Sequence, residues 1–285
     1  MEQPGEDTTF AEKVRIRAYP TQEYLGLIFV YLCEGEAPPF RRYPQFDQPG
    51  VLIALPPESW PCNYYNRLDN DPDGGHVLYT HNESVKRAQR TDRQHLRVMT
   101  AEETSYGVKV TMTVPGKPPE VLLSYMPNNN EITVKVGMAT ARSEEANRAW
   151  EDRRTWAVPI DNESSYRFEI NLAHLTGADA KAYEMSRREA LAQAGSLAIE
   201  LGEAVLSGKV AIHELDPKLS TYELFRVEDY VTQVGQGRIW DRSRERLSAI
   251  DRGVFLRRKL WHRELKALAE GQPLIEWVIP ETREG

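Results

Sequence analysis

Among six histidines, His76, His81, His95, His174, His213 and His262, only the first two lie close together in sequence. They sit in Asp69-Asn70-Asp71-Pro72-Asp73-Gly74-Gly75-His76-Val77-Leu78-Tyr79-Thr80-His81. Imidazoles suit iron, zinc, copper and nickel, and carboxylates neutralise the charge of such ions. Asp73 and His76 share a face if the segment is helical. His76 and His81 fall about 140° apart on an ideal helix at ~100° per residue. They converge only where the helix ends or distorts between them, and Gly74 and Gly75 allow such an irregular path. Spacing alone leaves the matter open. Two histidines in a polar, Asp-rich stretch also serve as solvated or capping groups, and a third ligand has to come from elsewhere.

The elements that must position this segment are legible in outline. Residues 14–18 and 24–32 read as a hairpin turning at Tyr19-Pro20-Thr21-Gln22. Residues 34–61 carry so many prolines that an irregular path is expected. Cys62 to Asp71 reads as a helix closed by Pro72. Strands are predicted over 106–114, 121–126, 132–136, 155–160 and 166–172. Turns at Pro127-Asn128-Asn129-Asn130 and Asp161-Asn162-Glu163-Ser164 give antiparallel meander spacing. Helices are predicted within 180–206, over 221–234 and over 244–270, the last stopped by Gly271 and Pro273. Strands first and helices afterwards is an α+β order. A soft boundary near residue 46 divides the chain into 1–45 and 46–285.

Composition narrows the function classes. The 285 residues carry 36 basic and 43 acidic side chains, a net charge of −7. With no basic stripe, that surface disfavours nucleic acid. The longest apolar run, residues 24–33, is too short for a membrane span of ~20 residues, and no apolar stretch follows Met1 as in a secretory signal. Two cysteines, Cys33 and Cys62, make no disulfide framework. A reduced, cytoplasmic protein is expected. No Gly-x-Ser-x-Gly elbow and no P-loop occurs, and Gly235-Gln236-Gly237 lacks the third glycine of a dinucleotide fingerprint. Arg257-Arg258-Lys259 reads as a solvated, salt-bridged helix face.

The segment from Asn70 to His81 resembles the mononuclear-iron motif of Rieske non-heme iron oxygenases, Asn-x2-Asp-x2-His-x4-His. Tyr19-Pro20, Glu23 and residues 26–32 are similar to the last hairpin of that family's Rieske domain. Trp156-Ala157-Val158-Pro159-Ile160-Asp161 resembles a catalytic-domain strand of the phthalate and vanillate type. Glu228-Asp229, Gln236-Gly237, Asp241-Arg242-Ser243, Glu245, Leu247, Asp251-Arg252 and Leu256-Arg257-Arg258 resemble that subgroup's C-terminal helices. The likeness covers residues 13–285.

The resemblance implies a helix-grip (Bet v1-like, START-like) antiparallel sheet with long C-terminal helices, preceded by a remnant Rieske-domain hairpin. It implies Fe(II) held by His76, His81 and Asp229, a facial triad with positions open for O2. Alone, Asp229 reads as a solvated helix carboxylate, the commoner fate of Glu-Asp pairs. Asp73 takes the role of bridge to a cluster-bearing histidine on a neighbouring subunit of a homotrimer; by itself it also reads as a cap or turn residue. Asn70 matches a polar position near the metal, or an ordinary Asn before a proline turn.

One departure stands out. A Rieske cluster needs Cys-x-His and Cys-x-x-His. Cys33 and Cys62 begin neither, so this chain holds no 2Fe-2S ligands. The expected activity is monooxygenation, dioxygenation or O-demethylation of a small aromatic compound, with electrons from a Rieske protein and reductase in trans. A truncated gene product, or a non-catalytic helix-grip protein that binds a small ligand, are the competing readings.

Overall fold

The computed structural model describes residues 16–88, 97–116, 118–135, 150–194 and 196–280. His95, the beginning of the first expected strand (residues 14–15) and Val136 at the end of another lie outside the described residues. The chain divides into two compact units, Met1–Arg42 and Tyr43–Gly285.

In the first unit, β1 (Thr21–Tyr24) and β2 (Leu27–Val30) form an antiparallel hairpin, with Tyr24 opposite Leu27. The turn is at Leu25-Gly26, not at the expected Tyr19–Gln22. Both residues have positive φ, 56° and 75°, the geometry of a two-residue hairpin loop whose twist matches its strands. Pro20 lies just outside the strand, and its carbonyl accepts from Tyr31 N at 3.0 Å.

The second unit is built on an eight-stranded antiparallel sheet. Its strands are β3 (Val51–Ala54), β4 (Glu58–Trp60), β5 (Val98–Thr104), β6 (Gly107–Thr113), β7 (Glu120–Tyr125), β8 (Asn129–Lys135), β9 (Trp150–Pro159) and β10 (Ser165–Ala173). From β6 to β10 they form the expected meander, which β5 extends at the edge, and β3 and β4 both pair with β10. The proline-rich stretch is thus not wholly irregular. Pro56 and Pro57 interrupt what would be one strand, because neither can donate to the ladder. Leu55 N still reaches Glu169 O at 2.9 Å. β5 lies at the edge of the sheet and was not predicted. Only Met99 of its seven residues is buried, so it carries almost no core pattern.

Helices α1 (Tyr64–Asn70), α2 (His76–Tyr79) and α3 (Asn82–Arg87) come between β4 and β5, and α4 (Gly177–Ala194), α5 (Leu197–Leu206), α6 (Thr221–Val234) and α7 (Arg252–Ala269) follow the sheet. The helical stretch expected within 180–206 is two helices. α6 has the expected bounds, because Ser220 and Glu223 form a reciprocal capping box. α7 begins eight residues later than expected. Asp251 Oδ2 accepts from Ser248 N at 2.6 Å, and short 3-10 turns at Arg242–Arg244 and Ala249–Asp251 replace the first predicted turns.

α7 lies on the sheet through Leu260, which packs with Met99, Val108, Val110, Met112, Leu122 and Met126. Its basic run is not a solvated face. Arg257 is buried and donates to Ser124 and Asn130, and Arg258 pairs with Asp69 and Glu245. Only Lys259 of the three is exposed.

The start of α7 also presses on the segment that leads to His76. A Cβ on Gly253 would sit 2.7 Å from both the Pro72 carbonyl oxygen and Val110 Cγ2. Gly253→Val forces backbone and core apart there. We expect it to lower stability by about 1–3 kcal/mol, the usual cost of overpacking, as a lowered midpoint in urea unfolding.

Candidate metal centre

Asn63 starts α1, its Oδ1 accepting from Tyr65 N at 2.9 Å. The helix ends at Asn70; Asp71 keeps helical dihedrals (φ −65°, ψ −44°), and Pro72 ends the run because its nitrogen has no hydrogen to donate back into the helix. Asp73 Oδ1 then accepts from Gly75 N at 2.8 Å, a local turn made by the side chain. Gly74 and Gly75 are needed for space rather than for unusual dihedrals. A Cβ on Gly74 would meet Met99 Sδ at 2.2 Å, and one on Gly75 would meet Ile250 Cδ1 at 2.8 Å. Asp73 therefore precedes the helix that begins at His76, and the two do not share a helical face.

The helix does break between the histidines, as convergence requires. α2 is one turn long, and His81 (φ −88°, ψ 27°) is the N-cap of α3. The two imidazole centroids are 5.3 Å apart. Each ring has one nitrogen committed. His76 Nδ1 donates to the Asp73 carbonyl at 2.5 Å, and His81 Nδ1 donates to Glu228 Oε2 at 3.1 Å. These tautomers follow from the acceptors present, and each leaves an Nε2 lone pair free. His81 Nε2 lies 3.5 Å from Asp229 Oδ1. One candidate ligand atom from each of His76, His81 and Asp229 falls in a group whose members are all within 4.8 Å of one another. Asn70 Nδ2 and Gln233 Nε2 donate to Asp229 Oδ1 at 3.2 and 3.3 Å.

The electrostatics prepare a donor set. Burial and the neighbouring His81 lower the His76 pKa, which favours the neutral imidazole. Burial acts to raise that of Asp229, but His81, His76, Arg167 and Arg226 outweigh it, and the carboxyl is held below its usual range. Two neutral imidazoles and one carboxylate fit a divalent first-row metal such as iron.

The sequence reading missed Glu228 as a site residue. It is fully buried. Its Oε1 accepts from Glu83 N and Ser84 N, each at 3.1 Å, at the N-terminus of α3. Its Oε2 accepts from Ser84 Oγ at 2.6 Å as well as from His81. The signal was present: Glu228 lies on the same buried stripe of α6 as Leu224 and Val227. Phe225 was also missed; its ring centroid is 4.0 Å from that of His81.

His174 pairs with Asp152 at 2.7 Å, and His213 and His262 are exposed. The metal candidate opens on a cavity of about 140 Å³. Leu122, Ile132, Val134 and Phe225 give it an apolar wall, and Arg153, Arg167, Glu169 and Arg226 a charged one.

Residues 60–143 match the family of the vanillate O-demethylase oxygenase C-terminal domain. The chain is 22% identical over 290 residues to the 5,5'-dehydrodivanillate O-demethylase oxygenase subunit of Sphingobium sp. (strain NBRC 103272 / SYK-6), covering 95% of this chain and 58% of that relative. It thus spans about three fifths of that relative's length. Among solved structures, NdmA of Pseudomonas putida CBB5 with caffeine superposes with a TM-score of 0.56 at 14% identity, covering 94% of this chain and 69% of that one. The carbazole-bound oxygenase in the ferredoxin complex of carbazole 1,9a-dioxygenase gives 0.52 at 16% identity, covering 92% and 69%. These likenesses bear out the family resemblance and the α+β fold expected from it.

The charged wall follows from strand alternation, which turns Glu151, Arg153, Arg167 and Glu169 to one face of β9 and β10. Burial acts to raise the Glu169 carboxyl pKa, but Arg167, Arg153 and Arg187 outweigh it and hold it below the usual range. A carboxylate with a depressed folded pKa stabilises above its unfolded value of about 4.3, and that stabilisation is lost as pH falls through the folded value. Glu169→Gln is expected to cost about 3–5 kcal/mol at neutral pH, as when one partner of a buried pair is removed. The gap to wild type should narrow in acid, which urea unfolding across a pH series measures.

Proposed function

Because the chain carries a Rieske-type oxygenase catalytic domain, we propose that it binds one ferrous ion through His76, His81 and Asp229 and oxidises a small aromatic compound with dioxygen. O-demethylation of an aryl methyl ether is the reaction we favour, by analogy with the O-demethylase relative. The observation that carries this reading is the meeting of those three side chains beside an aromatic-sized cavity. An apolar void of roughly 150 Å³ accepts a benzene ring.

A ferrous ion in such a site supplies oxidation by dioxygen, chemistry that side chains lack. The residues of this chain do the rest. The Asp73 carbonyl and Glu228 orient the two imidazoles through their Nδ1–H groups. Asn70 and Gln233 orient Asp229. Leu122, Ile132 and Phe225 hold the ring and exclude water. Demethylation takes up one dioxygen, two electrons and two protons, and yields the phenol, formaldehyde and water.

The electrons come from a Rieske cluster outside these 285 residues, which hold no cluster ligands, and the cluster is fed by a reductase. Asp73 Oδ1 accepts from Gly75 N at 2.8 Å. The Asp73 carboxylate is the group that would meet a cluster histidine of the neighbouring subunit in a homotrimer. A cytoplasmic site of action fits this reductive chemistry, and no helix among the described residues is long and apolar enough to cross a membrane.

Anaerobic titration with Fe(II) should show near-stoichiometric binding. His81→Ala or Asp229→Ala should abolish it. Glu228→Ala should weaken it by about 10–100-fold, the usual cost of losing a group that orients a ligand. Turnover should require a cluster-bearing partner and a reductase. No stoichiometric binding in the wild type would overturn the iron assignment; binding without turnover on any donor would favour a non-catalytic ligand-binding protein.

A further inference from the structure

Besides the two imidazoles, the cavity wall carries Trp60, Tyr222 and Phe225. Their surroundings differ in what they allow. The Phe225 ring resists one-electron oxidation. Tyr222 is guarded by positive charge. Arg187 and Arg226 lie 4.2 and 5.7 Å from its ring centroid, and its hydroxyl accepts from Arg226 Nη1 at 3.3 Å. Trp60 is the ring that leads away from the cavity.

Trp60, on β4, is 1% exposed and meets Tyr230 of α6 edge to face, with ring centroids 5.2 Å apart. Tyr230 is buried as well, and its hydroxyl donates to Glu203 Oε1 at 2.5 Å. That length belongs to hydrogen bonds with an ionised acceptor. Glu203 lies on α5 and is exposed. A Cβ on Gly202 would collide with the Tyr230 ring, so a bare position on α5 lets the ring lie against it. Cavity, indole, phenol, carboxylate and solvent thus follow one another in contact.

The charges along this row set a direction. The Arg67 guanidinium stacks over the Trp60 ring at 3.8 Å. It makes a positive charge on the indole costly, so only a strong oxidant takes an electron there. Trp60 Nε1 is buried and has no hydrogen-bond partner. An oxidised indole therefore keeps its proton and is refilled reversibly. Tyr230 is easier to oxidise, because Glu203 accepts its proton as the electron leaves. Both features drive an electron vacancy from Trp60 outward to Tyr230.

We propose that Trp60, Tyr230 and Glu203 form a relay that drains oxidising equivalents from the cavity when dioxygen is activated with no substrate bound. The oxidant takes one electron from Trp60, and Trp60 takes one from Tyr230. The Tyr230 hydroxyl proton passes to Glu203 and on to solvent. A soluble thiol then returns one electron and one proton to the neutral phenoxyl. The relay rests on the oxygenase reading and adds a protective function to it.

The test uses the full chain loaded with Fe(II), mixed with hydrogen peroxide in the absence of any aromatic compound and freeze-quenched. Electron paramagnetic resonance should show a tyrosyl radical in the wild type. Tyr230→Phe and Trp60→Phe should lose it. Glu203→Gln should slow its formation about tenfold, the scale of one charge-assisted hydrogen bond. Peptide mapping should find more oxygen added to Trp60 and His81 in Tyr230→Phe than in the wild type. No radical in the iron-loaded wild type, a radical that forms equally without iron or survives in Tyr230→Phe, or equal peptide oxidation in both chains would overturn the relay alone. Glu203 is at the surface, so Glu203→Gln decides if the buried variants do not fold, and an unchanged rate there would also overturn the relay. A chain that takes no Fe(II) would overturn the iron assignment and the relay with it.

Discussion

A single buried carboxylate, that of Glu228, ties together the parts of the candidate centre. It accepts two backbone amides at the start of α3, a serine hydroxyl and the His81 imidazole. A helix N-terminus is a favourable place for negative charge, so α3 compensates the burial of Glu228. That compensation lets an acid occupy the core stripe of α6. In return Glu228 fixes the His81 tautomer and ties the chain around His76 to a helix far away in sequence. Placing Asp229 next to it on α6 delivers a second carboxylate to the same spot.

The sheet supplies the other side of the cavity, and its interior is unusually ionic. Arg154 donates to Glu131 and to Asn129 while stacking on Tyr43 at 3.6 Å and Tyr125 at 4.3 Å. Ions this deep are tolerated because each is paired, stacked or hydrogen-bonded.

Local signals were readable where they were complete. The capping box of Ser220 and Glu223 set the bounds of α6, and the asparagine-rich turns set the meander. The break between His76 and His81 was stated in the sequence as a condition, and Thr80 and His81 satisfy it. What escaped depends on distant partners. β3 and β4 are strands because β10 pairs with them, although Pro56 and Pro57 argue locally against one. β5 is an edge strand with one buried residue and has almost no pattern of its own. Asp229 had no local feature to separate it from any helix carboxylate, and only the family resemblance singled it out. Arg257 looked solvated because its partners Ser124 and Asn130 come from another part of the fold. Glu228 shows the reverse case, a readable signal that was passed over: an acid on an otherwise apolar stripe.

Two carboxylates at successive positions of one helix constrain how the polypeptide can change length. Inserting or deleting one residue within α6 ahead of Glu228 would swing both acids by about 100° around the axis. The acid that orients His81 and the acid of the candidate metal centre would be lost in one step, with no intermediate that keeps either. Variation in length should therefore collect in the connections before Ser220 and after Gly237, while the helix between them keeps its phase.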